Sequence, residues 1–161
     1  MLAAAEWYSK NPPKNTIVFI SFDAEELGLQ GARYFVKNMS IPKESIILNL
    51  NLDMISRNEL NEINICGTAH YPHLKEELGH LSKITSLIVK YGHDRPIFGM
   101  GDWTSASDHG AFHREKIPFL YLGVEDHVDY HKPTDDFENI DLSFYFKAAN
   151  LVLEMLIAFD R

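Results

Sequence analysis

The stretch Thr16-Ile17-Val18-Phe19-Ile20-Ser21-Phe22-Asp23-Ala24-Glu25-Glu26-Leu27-Gly28 sets the reading of this chain. Its first seven residues are β-branched, aromatic and almost continuously apolar. That pattern predicts a strand over 16–22 covered on both faces, as in a parallel sheet packed between helices. The run ends abruptly in acid. In open α/β sheets ligands gather in the loops at the carboxyl ends of strands, which places Glu25 and Glu26 where chemistry is done. Taken alone, the pair reads equally well as a solvated surface loop.

The same arrangement recurs downstream. Residues 45–52 read as a second buried strand, and it runs straight into Asp53. Residues 62–66 and 118–124 read as further strands. Between them, Leu29, Ala32, Phe35 and Val36 fall at helical spacing over 29–38. The clearest amphipathic pattern spans 72–91, with Leu74, Leu78, Leu81, Ile84, Ile88 and Tyr91 on one face and Pro72 near the first turn. A last helix over 141–159 is expected to bury Leu142, Tyr145, Phe146, Ala149, Val152, Leu153, Leu156 and Phe159. A helix over 2–9 stops at Asn11-Pro12-Pro13, which cannot continue one. Strands alternating with helices specify an α/β layered fold.

Composition narrows the partners. The chain has 161 residues, enough for one domain with a real core, and 45% of them are hydrophobic. A formal charge of −8 without a basic stripe argues against nucleic acid, which needs clustered Lys and Arg. The acidity is compatible with metal cations. The single cysteine, Cys66, sits in the apolar run Ile63-Asn64-Ile65-Cys66 and reads as a buried, inert thiol; one cysteine forms no intramolecular disulfide. No apolar run looks long enough to span a bilayer, so no membrane partner is expected. The start, Met1-Leu2-Ala3-Ala4-Ala5-Glu6, lacks the basic and apolar regions of a signal peptide.

Adjacent glutamates allow a division of labour, because successive side chains in an extended turn point in different directions. One can bind a metal ion while its neighbour faces the substrate. Hydrolysis assisted by a metal needs both a Lewis acid and a base to take a proton from water. A third group arrives in Val128-Asp129-Tyr130-His131-Lys132-Pro133-Thr134-Asp135-Asp136, where His131 offers an imidazole. His109 and His127 are candidates for neighbouring roles. His70, His73, His80, His93 and His113 read as solvated on helix or loop surfaces. Trp103, Phe98 and Met100 read either as walls of a specificity pocket or as packing.

Taken together these residues resemble a known family, the di-zinc exopeptidases that include bacterial leucyl aminopeptidases, aminopeptidase Y and the glutamate carboxypeptidase II group. The segment from Phe22 through Ala32 looks like the family's paired-glutamate motif. Asn51-Leu52-Asp53-Met54-Ile55 is similar to its metal-binding aspartate motif. Ser107-Asp108-His109 followed by Phe112 and Ile117-Pro118 resembles its later pocket segment, and Tyr130-His131-Lys132-Pro133-Thr134-Asp135-Asp136 its final histidine motif. The resemblance implies a three-layer α/β/α fold with a central, mostly parallel, mixed sheet. It implies an aminopeptidase that binds two zinc ions, acts on peptides and works in the periplasm or as a secreted protein. It also assigns roles: Glu25 as general base, Glu26 and His131 on one zinc, Asp53 on the other, with Tyr130, Asp108 and His109 near the site.

The sequence departs from the family at its beginning. The family places a His-x-Asp histidine and a bridging aspartate before its glutamate pair, whereas here no His precedes His70 and no Asp precedes Asp23. The chain therefore reads as the C-terminal part of a catalytic domain, with two ligands and the first strands of the sheet missing. Three expectations follow: weak zinc binding, negligible peptidase activity alone, and an open sheet edge through which copies associate. Two other readings stay open, a glutaminyl cyclase of the same fold and a non-catalytic binding module of the transferrin receptor kind.

Overall fold

A computed structural model describes residues 1–79, 81–95 and 101–161, the side chain of Ser82 excepted. His80, Phe98 and Met100 lie outside the described residues. The centre is a four-stranded mixed sheet built from β1 (Asn49–Leu52), β2 (Glu62–Cys66), β3 (Ile88–Tyr91) and β4 (Phe119–Gly123), in the order β1-β4-β2-β3. β1 runs parallel to β4 and β3 parallel to β2, while β2 and β4 are antiparallel.

β4 shows why the layers form. All five of its residues are buried, so both faces must be covered. Side chains alternate across a strand. Leu120 and Leu122 join Ile63 and Ile65 of β2 under α3 (Leu74–Leu78) and α5 (Leu142–Phe159). Phe119 and Tyr121 point the other way, with Cys66, toward Trp103 and His109. On that second side α2 (Gln30–Asn38) packs against α4 (His109–Arg114) through Ala32, Val36, Ala111 and Phe112. α1 (Leu2–Lys10) buries Ala4 and Tyr8. The result is the expected three-layer α/β/α arrangement around a mixed sheet.

Three elements differ from expectation. Residues 16–22 form no strand, and Val18 and Phe19 are 51% and 36% exposed. A strand needs a neighbour whose backbone groups answer its own, and the described sheet ends at β1 without reaching this segment. The strand expected over 45–52 shortens to its last four residues, because its partner β4 begins only opposite Asn49, and Lys43–Ser45 winds into a 3-10 turn.

The helix expected over 72–91 is three elements instead. α3 stops at Gly79, a 3-10 turn spans Leu81–Lys83, and Ile88–Tyr91 becomes β3. Glycine weakens the helix where it stands, and the β-branched residues Ile84, Thr85, Ile88 and Val89 favour a strand. The three- and four-residue spacing that suggested one helix came from three short elements read end to end.

The final helix forms as expected, its N-terminus capped by Asp141, whose Oδ1 accepts from the amides of Ser143 and Phe144 at 2.9 and 3.0 Å. Its buried face is rotated. Phe144, Ala148, Leu151, Val152 and Met155 are buried, whereas Leu142 and Phe146 are 67% and 69% exposed. The helix is apolar nearly all round, so spacing alone draws several plausible stripes. Among the described residues α5 is the one helix long and apolar enough to cross a membrane by length and composition, contrary to expectation, although its buried side chains pack on the sheet.

Candidate active site

Parallel pairing brings the carboxyl ends of β1 and β4 to the same end of the sheet. The ladder runs on past both strands: the Asp53 amide donates to the Leu122 carbonyl at 3.2 Å, and the Val124 amide to the Met54 carbonyl at 3.1 Å. The loop beginning at Asp53 and the loop carrying His131 therefore leave the sheet together. The Glu25–Glu26 loop is fixed from the other side. Amides of Gly28 and Leu29 donate to the Glu25 carbonyl, and the Gly31 amide to that of Asp23. A Cβ at Gly31 would stand 2.5 Å from Asp23 Oδ1 and 2.6 Å from its carbonyl oxygen, so α2 approaches this loop closely only because glycine is there.

These loops bring Glu26 and His131 into contact, with Oε1 2.8 Å from Nε2. The two side chains are 72% and 56% exposed, so as an ion pair they stabilise the fold little. Three non-glycine residues adopt left-handed backbone here: Ala24 beside Glu25, Met54 beside Asp53, and His131 itself, at φ of 52°, 52° and 56°. Such conformations persist only where the surroundings impose them, and they cluster at functional sites.

Glu25 sits in the field of the whole group. Burial pushes its carboxyl above the usual range, and the charges of Asp53, Glu26 and Asp108 push the same way, while His131 opposes them. Asp108 is also raised, by burial first and by Asp53 second, and its Oδ1 is buried without a hydrogen-bond partner. The Tyr130 ring stacks on that of His131 at 3.9 Å. Its hydroxyl is raised by burial, then by Asp126, Glu26, Asp53 and Glu25.

Behind the loops lies a hydrogen-bonded relay. Ser107 Oγ donates to Asp53 Oδ2 at 2.7 Å, and Asn51 Nδ2 donates to Ser107 Oγ at 3.1 Å. His109 is fully buried, stacked on Tyr121 at 4.5 Å, with Nε2 donating to the Trp103 carbonyl at 2.8 Å. Its Nδ1 lies 3.5 Å from Asn51 Nδ2, behind the relay. Trp103 is likewise packed, stacked on His93 at 3.6 Å. His127 contacts Arg57 and lies 3.7 Å from Asp135. Ser107, Asn51 and Arg57 had no assigned role in the sequence. The alternation in Asn49-Leu50-Asn51-Leu52-Asp53, which puts Asn51 on the same side as Asp53, was a legible signal for one of them.

Two further histidine expectations change. His93 is 5% exposed, with Nδ1 bonded to the Gly101 carbonyl at 2.9 Å and Nε2 3.0 Å from Glu125. His113 is half-buried, its Nδ1 2.9 Å from the Tyr71 hydroxyl. His70 and His73 are exposed as expected. Cys66 is fully buried, and burial raises its thiol far out of the reactive range.

A model of peptidase family M28 matches residues 1–156. The chain belongs to peptidase family M28. Aminopeptidase YwaD of Bacillus subtilis is 30% identical over 94% of this chain, which spans 34% of YwaD. The structure is similar to that of BSAP, a zinc aminopeptidase from Bacillus subtilis, with a TM-score of 0.77 and 25% identity over 96% of this chain and 38% of BSAP. The Legionella pneumophila aminopeptidase LapA shares the fold, with a TM-score of 0.63 and 21% identity over 88% of this chain. The chain thus spans about a third to two fifths of the length of the proteins it matches.

Zinc is the metal named for BSAP, and the donors present here suit it. Carboxylate oxygen and imidazole nitrogen are ordinary zinc ligands, and Glu26 and His131 already face each other through such atoms. The number is short. Among the described residues no group of three or more His, Cys, Asp or Glu side chains converges to hold an ion, whereas a catalytic zinc takes about three protein ligands.

Proposed function

We propose that this chain carries the general base and part of the zinc site of an aminopeptidase that removes N-terminal residues from peptides. Glu26 and His131 hold one zinc ion and Asp53 contributes to a second. A bound zinc ion supplies positive charge that polarises the scissile carbonyl and makes water more acidic. Glu25 takes a proton from the attacking water onto its carboxylate and later returns it to the leaving amine. Tyr130 lines the entrance beside His131, and Ser107 orients Asp53. Asp108 faces Asp53 as a near-site acid, and His109 steadies the relay behind it.

The observation that carries this reading is the contact between Glu26 and His131, from loops about 105 residues apart, beside a carboxyl under the influence of three other acids. Two donors on one ion and one on the other give weak binding. Calorimetry on the 161-residue chain should therefore show no tight, stoichiometric zinc, and aminoacyl-anilide hydrolysis should stay at background. Tight zinc together with hydrolysis abolished by Glu25→Gln would overturn the expected inactivity of the chain alone. A zinc affinity indifferent to both Glu26→Gln and His131→Ala would refute the site itself. Peptides are the substrates, in a periplasmic or extracellular setting, without nucleic acid or membrane partners. Copies of the chain associate through the sheet edge at β1.

A further inference from the structure

Arg57 stands four residues beyond Asp53, in the loop that leaves β1, and its side chain is only 18% exposed. Its Nη2 donates to the Asp129 carboxylate and lies 2.8 Å from His127 Nδ1, while Nη1 donates to the Asn139 carbonyl at 3.2 Å. Asp129 is 16% exposed, and its other oxygen accepts from Thr134 Oγ1 at 2.5 Å. Its backbone carbonyl accepts from the Lys132 amide at 2.8 Å, and the Asp135 amide closes the next turn on the Lys132 carbonyl at 3.0 Å. One guanidinium therefore joins the start of the loop that bears His131, at His127 and Asp129, to the segment just beyond it, at Asn139.

This pair differs from the surface ion pairs of the molecule. Lys10–Glu6 is 69% and 70% exposed, and such pairs contribute little. A covered guanidinium with three acceptors in a fixed fork is a directional clamp that a lysine cannot reproduce. The need for a clamp is evident at His131. The segment from 127 to 136 contains no helix or strand, His131 is held at a left-handed φ, and its exposed contact with Glu26 is too weak to place the loop.

We propose that Arg57 is a positioning residue of the metal site: it ties the histidine loop to the aspartate loop and so sets where His131 meets Glu26. The proposal rests on the reading of His131 as a zinc donor. Outer partners of ligands alter metal affinity by about 10–100-fold when removed.

The test uses the metal-free 161-residue chain and zinc alone. Arg57→Gln should speed amide exchange at Lys132 and Asp135 by about tenfold or more and weaken zinc binding about tenfold. Arg57→Lys should fall between Arg57→Gln and the parent in both measurements. Asp129→Asn should reproduce the loss, and the double variant should be no worse than either single one. If Arg57→Gln unfolds the chain, Arg57→Lys and Asp129→Asn carry the measurement. Unchanged loop exchange in those variants, or additive losses in the double variant, would overturn the proposal. So would faster exchange without any loss of zinc affinity in a chain whose zinc binding needs His131. If His131→Ala leaves the parent's zinc affinity untouched, the ligand assignment fails instead, and the exchange data still decide whether Arg57 holds the loop.

Discussion

Phe144→Ala should destabilise the fold by about 3–5 kcal/mol, the range for truncating a buried aromatic residue and leaving a cavity. Phe144 is fully buried in α5, among the apolar residues that cover one face of the sheet. Domains of this size are stable by roughly 5–15 kcal/mol, so the variant should lose a large part of its margin. Phe146→Ala, two residues along the same helix, should change stability by less than about 0.5 kcal/mol, because Phe146 is 69% exposed. Urea unfolding of the two variants against the parent measures the difference. Equal losses would mean that α5 buries another face.

Acid should remove a second large contribution, through His109. Burial lowers its pKa from the ordinary 6.5 to about 4; the bond to the Trp103 carbonyl raises it against that trend, and the charge of His113 lowers it. The geometry agrees. Nε2 donates to a carbonyl, so the neutral ring leaves Nδ1 bare, with the Asn51 amide 3.5 Å away. A proton on Nδ1 would meet a donor. A histidine depressed in the folded state supports folding fully above the unfolded pKa, and that support is lost as pH falls toward the folded one. The window runs from about 6.5 down to about 4 and is worth about 3 kcal/mol. Urea midpoints across this range should fall steeply in the parent and less so in His109→Gln, which keeps a donor for Trp103 without a titrating ring. The His109 ring protons should titrate near pH 4 by NMR, and titration near pH 6.5 would refute the burial argument.

How much of this was legible depended on whether one segment carried its own information. β4 was readable because a run of apolar residues bounded by Pro118 and acid leaves few choices. The position of α5 was readable from its length, and its start shows a cap at Asp141. Its orientation was not, since the sheet chooses among several apolar stripes. Residues 16–22 carry strand chemistry, but pairing is a property of two segments, and the described sheet offers this one no place. The break in 72–91 was marked by Gly79 and then hidden by an accidental continuation of spacing. Around the site, Glu25, Glu26, Asp53 and His131 stood out as chemical types after strands or within a motif. Ser107, Asn51 and Arg57 did not, because each acts through a partner more than forty residues away.

The order of the strands also sets a schedule for synthesis. β4, the last of the four described strands to be made, lies between β1 and β2, and Asn49 finds its neighbour in β4 only at Phe119. β2 and β3 can meet early, but the edge of β1 that pairs with β4 stays open while about seventy more residues are made. Over that interval the nascent chain exposes apolar surface and unpaired backbone, the condition in which chaperones are needed and aggregation competes with folding.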